Sequence, residues 1–184
     1  MIPDVLSKLP LSGENVRLTS LYTEDLHQLD EFFNNMQSLI YYLPSTVRPF
    51  NRNQLEKLLL EWNDGVSCFV FAIRIDNQLA GLINLDDVDW VNSHTEIGIA
   101  LTDFAERGKG YALEALNLML DYTFNSLGLH KVWARIIDGN QPSVKLFEQA
   151  GFKIEGEMKE HVRRNGEWKS MHIYGLINNL QIVN

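Results

Sequence analysis

The residues with the clearest chemical potential are two glycines that flank a lysine, Gly108-Lys109-Gly110. They stand between a strand-like run at 96–101 and a strongly helical run at 112–124. Glycine lets the backbone approach a ligand closely, and the first turn of a helix presents unpaired N–H groups and the positive end of the helix dipole. This context predicts a binding site for a phosphate or pyrophosphate group.

Two common phosphate-binding loops do not fit this segment. A P-loop requires Ser or Thr after Gly-Lys, but Gly110 follows Lys109. The dinucleotide fingerprint requires a further glycine where Leu113 stands. Taken alone, the segment also fits a flexible turn between a strand and a helix. A second motif is needed to decide between a ligand site and a turn.

A second motif, NQPSVKLFEQAGF, runs from Asn140 to Phe152. Asn140 suits the N-cap of a helix, the following proline suits the first helical turn, and Gly151 suits the helix end. Apolar residues recur at spacings of three and four between them. We therefore predict a short helix from about 141 to 150.

Together the two motifs resemble the signatures of the GNAT acetyltransferase superfamily. The first signature, Gln/Arg-x-x-Gly-x-Gly/Ala, is met by Arg107, Gly110 and Ala112, and the second by the segment 140–152. The resemblance extends from Val16 to Leu176 and is closest to the RimJ/RimL branch of ribosomal-protein N-acetyltransferases. The residues that suggest this branch are Val88-Asp-Trp90-Val-Asn92, Glu96-Ile-Gly98, Glu155-Gly156, Asn165-Gly166-Glu-Trp168 and Tyr174-Gly-Leu176.

The resemblance implies an enzyme that transfers the acetyl group of acetyl-CoA directly to a primary amine. A protein N-terminus is the favoured acceptor, and a polyamine, an amino acid or an aminoglycoside is the other choice. The branch typically carries a glutamate where Val162 stands and an aspartate where Ser170 stands. These departures also fit an alternative, a non-catalytic acyl-CoA-binding sensor or scaffold of the same fold. A third reading is an unrelated α+β domain with two structural glycine turns.

The resemblance also implies where acetyl-CoA binds. We expect the backbone of the strand at 99–102 to bond the pantetheine arm, and an N–H near Leu101 to stabilise the oxyanion. The glycine loop and the helix after it are expected to hold the pyrophosphate. The expected cofactor-binding residues are Ile99, Leu101, Thr102, Arg107, Gly108, Lys109, Gly110, Tyr111, Ala112, Asn140 and Ser143.

Three residues are candidates for proton transfer. Ser143 is the candidate hydrogen-bond donor or acid at the leaving thiolate, and it equally fits a serine that satisfies the helix end. Glu96 is a candidate base, although strand alternation equally allows it to face solvent or an ion pair. Glu160, two residues before Val162, is the second candidate base. A water chain to bulk solvent is the remaining route for the proton.

Length and composition favour a single α+β domain over residues 1–184. The chain has 45% hydrophobic residues, and no Pro/Gly/Ser-rich linker divides it. A formal net charge of -8 argues against a nucleic-acid partner and suits a basic acceptor. Without a signal sequence or a long apolar run, we expect a soluble, cytoplasmic protein with no membrane partner. No metal site is expected, and Cys68 is expected to be a core thiol.

Hydrophobic periodicity predicts the element order β, α, α, β, β, β, α, β, α, β, β. Such an order suits a mixed, mostly antiparallel sheet of about seven strands with helices on both faces, which is also what the resemblance implies. Thr23 is predicted to cap the first helix, and Asn53 the second. Polar segments at 76–78 and 165–166 predict two hairpin turns. The last hairpin or an edge strand is compatible with a homodimer.

Overall fold

The structure is a computed structural model that describes residues 9–42, 50–102 and 108–178. Within those ranges the chain forms eight strands, all in one sheet, and five α-helices. The strands are β1 (Leu11–Ser12), β2 (Val16–Thr19), β3 (Phe69–Ile75), β4 (Gln78–Asp89), β5 (His94–Leu101), β6 (Lys131–Ile137), β7 (Lys153–Arg164) and β8 (Glu167–Ile177). The helices are α1 (Asp25–Phe33), α2 (Met36–Leu39), α3 (Arg52–Glu61), α4 (Tyr111–Asp121) and α5 (Gln141–Gln149).

The sheet has the strand order β1-β2-β3-β4-β5-β6-β8-β7. Each neighbouring pair is antiparallel except β5 and β6, which run parallel. The predicted mixed, mostly antiparallel sheet is therefore confirmed. It has eight strands rather than about seven, because β1 contributes two residues beside β2, too few to show a periodic pattern.

Helices cover both faces of the sheet because alternate strand residues point to opposite sides. In β3, Phe71 and Ile73 are buried in an apolar core that includes residues of α4 and α5. Val70 and Ala72 alternate with these two residues along the strand and are buried in a second core with residues of α1 and α3. We refer to these two sides as the α4 face and the α3 face.

Both predicted hairpin turns are confirmed. Asp76 and Asn77 connect β3 to β4 with φ values of 49° and 64°. Asn165 and Gly166 connect β7 to β8 with φ values of 51° and 86°. Left-handed conformations at both central residues give a turn whose twist matches that of the flanking strands. These turns fix the register of both hairpins.

Two predicted helix starts are wrong. The helix α1 begins at Asp25, so Thr23 is not its N-cap residue, and no side-chain hydrogen bond caps it. The helix α3 is capped two residues earlier than predicted, by Asn51 rather than Asn53. The side chain of Asn51 accepts from the N–H of Gln54, and the Gln54 side chain accepts from the N–H of Asn51. Both capping patterns are present in the sequence, and packing selects the first.

The other two predicted helices are confirmed. The helix α4 begins at Tyr111 and continues into a π-helical turn at Tyr122–Ser126, and α5 occupies Gln141–Gln149. None of the helices in the described part of the chain is long and apolar enough to cross a membrane.

The single parallel strand pair opens partway along its length. Pairing between β5 and β6 stops, among the described residues, at Glu96 and Trp133. Beyond these two residues β5 remains paired with β4, and β6 remains paired with β8. The two strands therefore separate and leave a gap that passes through the sheet.

Candidate active site

A glycine-rich turn precedes α4, as the predicted phosphate loop requires. Gly108 and Gly110 have φ values of 79° and 90°, a left-handed conformation in which a residue with a side chain would be strained. Gly110 is the N-cap residue of α4, and it has no side chain with which to cap the helix. The turn is exposed, so an anion can approach the start of the helix. This geometry supports the predicted pyrophosphate site, whose contacts stay a prediction.

The other predicted loop residues differ in their surroundings. Arg107 lies outside the described residues. Lys109 is exposed beside the two glycines. Tyr111 and Ala112 are half-buried and pack against the core on the α4 face. Any contribution of these two residues to a phosphate site would therefore come from their backbone N–H groups.

The strand β5 turns one backbone edge toward the gap in the sheet. Thr102 donates its N–H to the carbonyl oxygen of Ala80 at 2.9 Å, so it faces β4. Peptide groups alternate along a strand, so those of Ile99 and Leu101 face the β6 side. The N–H of Thr102 is therefore bonded within the sheet, and the predicted contacts of the 99–102 backbone with the pantetheine arm stay a prediction. Ile99 has the predicted orientation.

A cleft passes through the gap between β5 and β6. Its lining includes residues 96–99 of β5 and 135–137 of β6. Tyr42 lines it from the α3 face, and Asn140 and Ser143 line it from the start of α5 on the α4 face. The cleft therefore connects the two faces of the sheet, and the glycine loop lies at the start of the helix on one of them.

Glu96 lines the cleft and is bound by Arg135. Nε and Nη2 of Arg135 each donate to a different carboxylate oxygen, both at 2.7 Å. Burial raises the pKa of Glu96, and the hydrogen bonds and charge of Arg135 oppose that rise. The structure thus shows the ion pair that strand alternation allowed. Arg135 occupies both carboxylate oxygens of Glu96, so the geometry gives little support to Glu96 as the base although its pKa is raised.

A second carboxylate in the cleft, Asp86, is not among the residues that the sequence predicts. It lies opposite Glu96 in the register of β4 and β5. Burial, followed by the negative charges of Glu96 and Asp87, raises the pKa of Asp86 to about 6, although Asn84 and Arg135 oppose the rise.

Among the described residues, no three His, Cys, Asp or Glu side chains form a group that could hold a metal ion.

Two hydrogen bonds from neutral donors lead to Asp86. The hydroxyl of Tyr42 donates to Oδ1 of Asn84 at 3.4 Å, and Nδ2 of Asn84 donates to a carboxylate oxygen of Asp86. Asn84 fits because its register partner is Gly98, where a Cβ atom would lie 2.7 Å from Oδ1 of Asn84. Burial raises the pKa of Tyr42 well above its usual range, so its hydroxyl remains a donor.

The start of α5 presents Ser143 to the cleft. The side chain of Asn140 accepts from the N–H of Ser143 at 3.4 Å, which confirms Asn140 as the N-cap residue. Phe147 lies one turn further along, buried edge-on against Phe152 with ring centroids 5.0 Å apart. The Ser143 N–H therefore serves the helix end while the residue itself lines the cleft, so the two roles predicted for Ser143 are compatible.

The structure does not bring Glu160 to the cleft. Glu160 is exposed and has a φ of 48°, inside an irregular stretch of β7 between Met158 and Val162. Val162, by contrast, is buried and packs with Ile137 and Met171. The irregularity turns the backbone at Glu160 outward, so no geometry supports a catalytic role for its carboxylate.

Comparison with known proteins identifies the family. A family model described as Acetyltransferase (GNAT) domain matches residues 15–153. Spermidine N(1)-acetyltransferase of Escherichia coli (strain K12) is 27% identical over 86% of this chain and 84% of that protein. The putative ribosomal N-acetyltransferase YdaF of Bacillus subtilis (strain 168) is 27% identical over 90% and 92%. Spermidine N-acetyltransferase from Vibrio cholerae, solved with CoA and spermine, has a TM-score of 0.82 at 25% identity, covering 90% of this chain and 96% of that one.

The family match and the structure agree with each other. The matched segment contains the glycine loop, the gap between β5 and β6 and the whole of α5. The TM-score of 0.82 shows that the fold is shared with the spermidine N-acetyltransferase structure solved with CoA and spermine. The chain therefore belongs to the GNAT family and is an acetyl-CoA-dependent N-acetyltransferase.

Proposed function

We propose that the acceptor is a small polycationic amine of the polyamine type and that the acetyl group passes to it directly from acetyl-CoA. The observation that carries this proposal is the pair of carboxylates, Asp86 and Glu96, at the α3 face of the cleft. Among the described residues that line the cleft, Arg135 is the one cation. Two carboxylates against one guanidinium leave a net negative charge, which attracts an ammonium group.

The two faces of the sheet suggest how the substrates meet. The glycine loop and α5 lie on the α4 face, so acetyl-CoA would enter the cleft from there. Asp86 and Glu96 line the cleft at the α3 face, so the acceptor would enter from that side. A thioester held along β5 and an amine held by the carboxylates would meet inside the gap without a covalent enzyme intermediate. An N–H near Leu101 remains the predicted oxyanion donor, a role typically worth about 3 kcal/mol of barrier.

Names of related proteins support the same acceptor class. The Escherichia coli relative is a spermidine N(1)-acetyltransferase, and the Vibrio cholerae structure contains CoA and spermine. The RimJ/RimL resemblance favours a protein N-terminus as the acceptor. Similarity to the putative ribosomal N-acetyltransferase YdaF supports that alternative. The acidic cleft suits a compact polycation better than a peptide, because a peptide N-terminus brings one charge where a polyamine brings several.

Acceptor preference is the first prediction. We expect acetyl-CoA-dependent thiol release to have a kcat/KM at least about tenfold higher with spermidine or spermine than with basic peptides that carry ribosomal-type N-termini. The assay is corrected for Cys68 and for acceptor-free hydrolysis, and includes aminoglycosides and amino acids. We also expect KM for the polyamine to rise with salt, because screening weakens the attraction. A peptide that outcompetes the polyamines would refute the acceptor class, and so would the absence of thiol release with every polyamine.

Replacing Ser143 by Ala is the second prediction. If the hydroxyl bonds the leaving thiolate, turnover should fall about tenfold while the Kd for acetyl-CoA stays unchanged, since one hydrogen bond is worth roughly 0.5–1.5 kcal/mol. Stopped assays and calorimetric titration measure the two quantities. Ser12→Ala, in an exposed strand away from the cleft, is the matched control. Unchanged turnover in Ser143→Ala would leave Ser143 with only its role at the helix end.

A further inference from the structure

The two carboxylates of the cleft differ in what holds them. Glu96 accepts two hydrogen bonds from the charged guanidinium of Arg135. Asp86 accepts one from the neutral amide of Asn84. Arg135 occupies both oxygens of Glu96 and opposes the rise in its pKa that burial causes. In Asp86, Asn84 occupies one oxygen, and no described residue donates to the other. Asp86 is therefore the better proton acceptor on the acceptor side of the cleft.

We infer that Asp86 is the general base of the acetyl transfer and that Asn84 and Tyr42 position it. The inference rests on the proposed function, because it requires an amine acceptor in this cleft. It adds a residue that neither the family signatures nor the sequence pattern assigns. Asp86 would touch the reacting nitrogen, while Asn84 and Tyr42 would act through it.

The proton balance of the reaction gives Asp86 a defined task. An acceptor ammonium carries three protons on nitrogen, and the amide product carries one. One of the two lost protons passes from nitrogen to the carboxylate of Asp86, which releases it to water. The nitrogen lone pair forms the C–N bond with the thioester carbonyl carbon, and the C–S bond breaks. The second proton ends on the sulfur of the departing CoA.

The neighbours of Asp86 fix its orientation. Asn84 is confined between the backbone at Gly98 and the hydroxyl of Tyr42. The Tyr42 ring is held in turn by Phe32 and Trp62, at centroid distances of 5.6 and 6.0 Å. A donor fixed in this way aims its amide at one oxygen of Asp86. The other oxygen is then available to the amine.

Burial and the charges around Asp86 bring its pKa closer to neutral pH, where a general base works best. Glu96 faces it from β5, Asp87 follows it on β4, Arg135 approaches from β6, and Tyr42 lies on the α3 face. Burial and the two carboxylates raise the pKa of Asp86 to about 6. Asp86 is thus ionised and able to accept a proton at neutral pH, with more basicity than an exposed aspartate.

The decisive variant is Asp86→Asn, compared with Asp87→Asn, which removes the same charge from an exposed neighbour. We expect Asp86→Asn to lower kcat about 100-fold with an unchanged Kd for acetyl-CoA, in the usual range for removal of a general base. The wild-type kcat/KM should rise as pH passes through about 6, and this limb should vanish in the variant. Asp87→Asn should keep most of the rate and keep the limb, moved to lower pH because a charge that raises the pKa of Asp86 is lost. A higher acceptor KM with unchanged kcat would overturn the inference, because Asp86 would then only bind the ammonium.

Thermal stability separates catalysis from a structural role. A pKa raised in the folded state means that the fold binds protons more tightly than the unfolded chain, so ionised Asp86 lowers stability above about pH 6. Asp86→Asn should therefore raise Tm at pH 8 while it lowers kcat. A lower Tm together with a lower kcat would assign Asp86 to the fold and contradict the inference.

The positioning residues have their own readout. Tyr42→Phe removes the hydroxyl that orients Asn84, so the hydrogen bond that stabilises ionised Asp86 should weaken. We expect kcat to fall severalfold and the acidic limb to move to higher pH. A purely structural effect of Tyr42 would lower the amount of folded enzyme without moving the limb.

Failure of the acceptor class and failure of the base are distinguishable. The comparison uses whichever acceptor the wild type acetylates best. If that acceptor is a peptide, the polyamine proposal fails, and the pH profile of Asp86→Asn still decides whether Asp86 is the base. A wild type that acetylates no amine overturns both proposals.

Discussion

Replacing Gly110 by Val should weaken the binding of acetyl-CoA about 100-fold. Gly110 has a φ of 90°, which a β-branched residue does not adopt without strain, so the turn before α4 must rearrange. Its rearrangement would move the first N–H groups of α4 away from the pyrophosphate. Hydrogen bonds to a charged group contribute roughly 1.5–3 kcal/mol each, so the loss of one or two gives the stated factor. Calorimetric titration with acetyl-CoA measures it.

The matched control is Gly65→Val. Gly65 has a φ of 72°, and a Cβ atom there would have no neighbour within 4 Å, as at Gly110, but Gly65 lies in an exposed turn after α3. Both variants should lose similar stability, because a left-handed conformation costs a non-glycine residue roughly 1–2 kcal/mol. Only Gly110→Val should lose affinity for acetyl-CoA. Equal affinity in the two variants would show that the loop is not the pyrophosphate site.

Features determined by neighbouring residues could be predicted from the sequence. The helix α5 follows its cap at Asn140, and both hairpin turns follow their Asn and Gly residues. The glycine loop is predictable for the same reason, since Gly108 and Gly110 adopt conformations that only glycine takes easily. In each case a residue and its partner lie within a few positions of one another, so the sequence shows both.

The start of α1 depends instead on a distant partner. The carboxylate of Asp25 accepts from the N–H of Tyr22 at 2.7 Å and from Arg74 of β3 at 2.7 and 3.0 Å. Arg74 also lies over the Tyr22 ring, 4.1 Å from its centroid. This buried pair fixes how the chain enters the helix, and it outweighs a cap at Thr23. Arg74 lies 49 positions after Asp25, so the sequence around Thr23 does not indicate the pair.

The start of α3 has a local signal that distinguishes two overlapping caps. Asn51 and Asn53 are each followed at three positions by a glutamine or glutamate. Only the first has apolar residues at the two positions of a hydrophobic staple, Phe50 before the cap and Leu55 in the helix. Both pack into the core on the α3 face. Counting these contacts with the cap predicts the observed start.

The catalytic carboxylate proposed here depends on register. Asp86 and Asp87 together resemble a solvated strand end, and one of them is indeed exposed. Asp86 becomes distinctive only because β4 and β5 place it opposite Glu96, and because β6 brings Arg135 to Glu96. Such cross-strand contacts join residues ten to fifty positions apart, and one sequence does not specify them. The same applies to the hydrogen bond from Tyr42 to Asn84.

Replacing Arg135 by Met should lower the free energy of unfolding by about 3 kcal/mol at pH 8. The Glu96 side chain is 11% exposed, and the variant leaves its charge buried without a cation. Breaking one side of a buried ion pair costs about 3–5 kcal/mol, and the partial exposure of Arg135 favours the lower figure. Urea denaturation at pH 8 measures the loss. Arg163→Met is the matched control. Arg163 lies over the Trp168 ring in an exposed hairpin, and among the described residues it has no buried carboxylate as a partner.

The pH dependence identifies the cause of the loss. Without Arg135 the pKa of Glu96 rises further above its unfolded value, so the folded state binds the proton more tightly. The deficit should be full above the folded pKa of Glu96 and should disappear as pH falls toward about 4, near the unfolded value. The double variant Glu96→Gln with Arg135→Met should recover most of the stability at pH 8. The opposite outcome is a double variant as unstable as Arg135→Met, with a deficit that persists at low pH. The loss would then come from packing of the Arg135 side chain on Trp133, where Cζ lies 5.7 Å from the ring centroid.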